Sequence, residues 1–109
     1  MEPSDQDKQI LRVLRQHGDT LSKPREIMHW AYFPSDEARI RFAESCARAG
    51  FGIRGMNDGA RAPNRFSVQF SHTDVPNENA VELFRSLLTK LAGECGGEYD
   101  GWETKIVQN

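Results

Sequence analysis

The stretch Arg25-Glu26-Ile27-Met28-His29-Trp30-Ala31-Tyr32-Phe33-Pro34-Ser35-Asp36-Glu37 decides the fold. Ile27, His29, Ala31 and Phe33 fall on one set of alternating positions, and Met28, Trp30 and Tyr32 on the other. Successive strand side chains point to opposite faces, and both sets here are largely apolar. The pattern therefore predicts a central strand over 25–33, covered at least partly on each side. Pro34 ends it, because proline lacks the backbone donor that a strand ladder uses. Ser35 then offers a hydroxyl to the first unbonded N–H groups of a helix, with Asp36 and Glu37 where the helix dipole favours negative charge. Phe42, Ala43, Cys46 and Ala47 form the expected inward stripe of that helix, and Gly50 closes it.

Outward from this unit the punctuation continues. Residues 51–56 read as a strand and 57–64 as a polar connection with the turn chemistry of Asn57-Asp58-Gly59. Over 65–72, Phe66, Val68, Phe70 and His72 alternate with Arg65, Ser67, Gln69 and Ser71, a strand with one buried and one wetter face. Residues 77–95 carry Ala80, Phe84, Leu87, Leu88, Leu91 and Cys95 at helical spacing. Gly96-Gly97 stops that helix, and 98–107 supplies a last strand. Upstream, a short helix over 5–17 has Ser4 as candidate N-cap, Ile10, Leu11 and Leu14 as its apolar face, and Gly18 as its stop, followed by a linker over 19–24. From Arg25 the order is strand, helix, strand, strand, helix, strand. This predicts an α+β, ferredoxin-like βαββαβ fold: a four-stranded antiparallel sheet with two helices on one face. The N-terminal helix is an addition to it, placed either over the open sheet face or at an edge. Residues 1–24 are thus read as helix and linker, and 25–109 as the domain.

Composition restricts the function. A chain of 109 residues, 38% hydrophobic and 28% charged with a mean hydropathy of −0.66, has the size and polarity of a globular domain with one core. The formal net charge of −2 supplies no strong field toward nucleic acid or anionic lipid. Charge is uneven, however: residues 25–65 hold seven arginines against five acids, and 66–109 hold seven acids against three bases. No apolar run approaches the roughly 20 residues that cross a bilayer. The start at Met1-Glu2-Pro3-Ser4-Asp5 lacks the features of a signal peptide, so the expectation is a cytoplasmic protein with no membrane partner. Cys46 and Cys95 each fall on an apolar helical stripe, the setting of free buried thiols rather than of a disulfide framework.

No catalytic constellation emerges. Ser45 and Ser86 lie mid-helix, outside any G-x-S-x-G context, and the glycines at 50, 52 and 55 do not form a phosphate loop between strand and helix. No cofactor is implied. His29 and His72 would stand on neighbouring strands, as a two-histidine metal site or, more ordinarily, as hydrogen-bonded imidazoles at a core margin. RNA-binding modules with this strand order stack bases on aromatics of the two central strands. Phe66 and Phe70 share the face of Val68, the expected core face, so Trp30 and Tyr32 with the arginine-rich half are the residues left for direct RNA contact.

The most distinctive segment is Glu98-Tyr99-Asp100-Gly101-Trp102-Glu103-Thr104. Read structurally, Gly101 marks a bulge or a close backbone approach, with Tyr99 and Trp102 at a sheet margin. Read functionally, two aromatics held by a fixed turn anchor a partner. This E-Y-D-G-W-x-T run resembles the C-terminal signature of the RraB family, protein inhibitors of ribonuclease E. The histidine on the first strand and the helix over 35–50 leading into Phe51 resemble earlier segments of that family. The resemblance spans roughly 25–106. It implies a ferredoxin-like fold and a non-enzymatic regulator that binds the scaffold-like part of ribonuclease E and changes RNA decay. On that reading the partner-binding residues are His29, Trp30, Tyr99, Asp100 and Trp102, with the two signature aromatics as anchors and Asp100 as acceptor or turn-fixing group. A homodimer through the half-apolar open sheet face is a further expectation.

Overall fold

The computed structural model describes residues 5–58 and 66–108. Along the chain run α1 (Asp5–Gln16), β1 (Arg25–Phe33), α2 (Asp36–Arg48), β2 (Gly52–Asn57), β3 (Phe66–Asp74), α3 (Glu78–Glu94) and β4 (Glu98–Thr104). The strands form one antiparallel sheet in the order β2-β3-β1-β4, the ferredoxin-like arrangement, with β1 central. β1 pairs with β3 without interruption from Arg25↔Asp74 to Phe33↔Phe66.

The alternation in β1 becomes two surfaces. Ile27, His29, Ala31 and Phe33 are fully buried, whereas Met28, Trp30 and Tyr32 are half-buried on the other face. Val68 and Phe70 of β3 are buried beside the first set, as the alternation predicts. α2 and α3 pack on that face through Phe42, Cys46, Val81, Phe84 and Leu88. Burying one such side chain contributes about 1.5–3 kcal/mol. Burial pushes the Cys46 thiol up to about 12, so it behaves as a hydrophobe.

Local chemistry sets the helix bounds. Ser35 Oγ accepts from the Ala38 N–H at 3.1 Å and Asn77 Oδ1 from the Ala80 N–H at 2.9 Å. At the end of α2 the Phe51 N–H reaches the Cys46 carbonyl at 2.9 Å across Gly50, whose φ of +99° is the left-handed conformation glycine tolerates. Gly97 has a different reason. A Cβ there would collide with the Phe33 ring and the Tyr32 carbonyl, so the chain enters β4 over a contact that admits only hydrogen.

Several details differ from the sequence reading. The buried line of α3 runs through Val81, Phe84, Leu88 and Ala92; Leu87 is 39% exposed and Ala80 half-buried. Six apolar residues fit a helical stripe in more than one phase, and the sheet selects the phase. On α2, Ala47 is exposed while Arg39 is buried, held by Asp36, Asp58 and the carbonyls of Asn57 and Ser67. Phe51 precedes β2, and β4 ends at Thr104. The Ser4 cap and residues 59–65 of the predicted connection and strand start lie outside the described residues.

α1 joins the helical layer beside α3, over β4, and the opposite sheet face stays open. Leu11 and Leu14, with Leu21 of the following segment, belong to the same core as the sheet. The segment predicted as linker is built around Asp19, 4% exposed. Its carboxylate accepts from the Leu21 and Val107 N–H groups, at 2.9 and 3.1 Å, and from both terminal nitrogens of Arg25. Arg25 holds its carboxyl at about 2, below the usual range. Among the described residues no helix is long and apolar enough to cross a membrane.

Candidate functional site

Residues singled out in the sequence divide between the two faces of the sheet. The register puts Trp102 opposite His29 and Tyr99 opposite Ala31, all on the helix-covered face. His29 Nδ1 lies 2.8 Å from Tyr99 Oη, and its Nε2 lies 2.9 Å from His72 Nδ1. His72 Nε2 in turn lies 3.4 Å from Asp74 Oδ2, at the margin of the fold. The carboxylate can only accept, and this gives the chain its polarity. His72 carries its proton on Nε2 and accepts on Nδ1; His29 donates from Nε2 and accepts on Nδ1; the Tyr99 hydroxyl donates. Each ring nitrogen of the row thus has a partner with both imidazoles neutral.

The surroundings hold that state. His29 is fully buried, stacked on Phe70 at 5.1 Å between centroids and edge-on to Phe51 and Phe84. Burial, reinforced by His72 and Arg85, lowers its pKa to about 3. His72 shifts down as well, mainly by burial, against the opposing pull of Asp74. Burial drives the Tyr99 phenol upward. The two imidazoles are thus spent on each other and on the core.

A second polar chain adjoins the first. Asp7 of α1 is fully buried and accepts from Trp102 Nε1 at 2.8 Å and from Arg85 Nη2 and Nε at 2.6 and 2.9 Å. The Arg85 guanidinium lies over the Tyr99 ring, 4.8 Å from its centroid. Asp7 and Arg85 did not stand out in the sequence reading. The available signal was the position of Asp7 four residues before Leu11 and seven before Leu14, on the apolar stripe itself.

β4 explains how these pieces meet. Its burial alternates except at Gly101 and Trp102, which are both buried, and its pairing with β1 slips between Trp30 and Ala31. The bulge the sequence suggested at Gly101 therefore exists. Gly101 has φ +147°, and Gln6 of α1 lies where its Cβ would point. The bulge brings α1 against β4 and leaves Glu98, Asp100 and Glu103 exposed.

Of the five residues expected to touch a partner, His29, Tyr99 and Trp102 are thus together in the core, at 0%, 9% and 4% exposure. Trp30 stands on the opposite face, and Asp100 at the exposed bulge. Tyr32 accompanies Trp30 on the open face, where the two border a hollow of about 310 Å³ closed on the far side by Gly55 and Met56. Across the same face Arg54 Nε and Glu26 Oε2 each bond Ser71 Oγ at 2.9 Å, and Arg54 pairs with Glu26.

No curated protein matches this chain. The family described as Regulator of ribonuclease activity B matches over residues 4–104, which takes in α1 as well as the βαββαβ unit. With that match covering nearly the whole length, the chain belongs to the RraB family of regulators of ribonuclease activity.

Proposed function

We propose that this protein is a non-enzymatic regulator that binds ribonuclease E and lowers its activity in RNA decay. The observation that carries this reading is the family match from α1 to the end of β4. The site geometry agrees with a binding role. The paired imidazoles of His29 and His72 are bonded to each other, and His29 has no exposed surface through which to meet a substrate. Trp30 and Asp100 are the signature-linked residues a folded partner can reach.

The test is titration calorimetry against ribonuclease E of the same organism, full-length and lacking its C-terminal region. Micromolar or tighter binding that disappears with that region is the expected result. Absence of binding to both forms would sever this chain from that target.

A second reading, direct RNA contact, draws on Trp30 and Tyr32 on the open sheet face. It is weakened by the arginines. Arg25 and Arg39 are buried in ion pairs and Arg54 is bonded to Glu26, so part of the arginine-rich half is already neutralised.

A further inference from the structure

The open sheet face has an aromatic row with an acidic margin. Register places Glu98 of β4 beside Tyr32 of β1, and Glu103 beside Met28. Between them Asp100 is exposed at the bulge, where its charge also acts on Arg85 of the helical layer. Trp30 stands in the middle of the row, opposite Gly101. Among the described residues no cation forms an ion pair with any of the three carboxylates. On the other flank, among the described residues, stand Ser67 and Gln69 of β3, then the hollow against β2. Arg54, also on this face, is bonded to Glu26 at the far end.

We propose that this face is the docking surface, and that its occupant is an arginine-bearing basic segment of a partner protein. A guanidinium is planar and weakly hydrated. It stacks on an indole or phenol face while its N–H groups donate to a carboxylate alongside, which the pairing of Trp30 and Tyr32 with Glu98 and Glu103 provides. A nucleic acid would bring phosphates against the same carboxylates, so charge separates two ligands that aromatics alone would not. The inference rests on the regulator reading and gives that reading's partner a chemistry and an address.

The experiment is an NMR titration of the intact, nitrogen-15-labelled protein with three probes: a 12-residue peptide alternating glycine and arginine, the same peptide with lysine, and a 12-nucleotide oligouridylate. The arginine peptide should move the Trp30 indole N–H and the amides of β1 and β4, bind more tightly than the lysine peptide, and weaken as salt rises. Trp30→Ala, and separately Glu98→Gln with Glu103→Gln, should each weaken it roughly tenfold or more. The glutamine pair keeps shape at exposed positions, and an unmoved Trp102 indole signal reports an intact core. Shifts confined to the helical layer, no binding, or tighter oligouridylate binding at the same amides would overturn the proposal. The same variants titrated against ribonuclease E separate the two claims. Undiminished binding by both variants refutes the face and leaves the regulator standing. Peptide binding by wild type without ribonuclease binding refutes that target and leaves the face standing.

Discussion

His29 and Trp30 are neighbours in sequence and opposites in environment. One is sealed under α3 in a chain of hydrogen bonds, and the other shares an open face with Tyr32. A resemblance based on residue types treats them alike, because it cannot see which way a strand residue points. The pleat separates them: one parity of β1 builds the domain, and the other is left for recognition. The same division runs through the signature of β4, where Tyr99 and Trp102 go inward and Glu98, Asp100 and Glu103 stay out.

The sharpest way to break this comparison is Trp102→Ala. Loss of a buried indole that also bonds Asp7 should cost about 3–5 kcal/mol, read as a lowered urea midpoint. A variant of unchanged stability that no longer binds ribonuclease E would return Trp102 to the recognition side. Arg25→Ala removes one member of an ion pair whose side chains are each 1% exposed, and about 3 kcal/mol is expected from the carboxylate left behind. Its binding per folded molecule should not change, since the pair lies in the scaffold.

Acid should act on the covered face before the open one. His29 titrates near 6.5 when unfolded and near 3 when folded, so between those values the unfolded state binds more protons. Stability therefore falls as pH drops from 6.5 toward 3, by about 1.4 kcal/mol per pH unit once the window is entered. The Asp19 contribution is lost later, as pH falls from about 3.8 toward 2. Denaturant midpoints measured from pH 7 to 4 for wild type and His29→Phe give the check, and equal slopes would remove His29 as the cause. The smallest effect belongs to Trp30→Ala. A half-exposed ring on the open face should cost about 1 kcal/mol or less by the same urea assay, and a loss comparable to that of Trp102 would mean the two faces are not distinct.

The fold was legible where local and periodic signals agree. Proline, serine and glycine punctuation located α2 and β1, and β3 showed its core face through plain alternation. The phase of α3 was not legible, because Leu83 and Leu87 are leucines pointing away from the sheet and only tertiary packing distinguishes them from Val81. The polar framework was hidden more deeply. Asp7 meets Arg85 across 78 positions, and its burial follows from a neighbour the local sequence does not contain. The candidate site was legible as a motif, since its aromatics and glycine stand out, but not as a geometry. The bulge at Gly101 is where α1 meets β4, with Gln6 beside it, a meeting no local pattern encodes.

The Asp19 carboxylate has a consequence for how the molecule opens. It grips the backbone just ahead of β1 and, 88 positions away, the Val107 amide just beyond β4. That amide is thereby tied to the cooperative unit instead of fraying as a strand end. Its exchange with solvent deuterium should require the opening that frees the central strand, so a residue beyond the last strand reports on the whole domain coming apart.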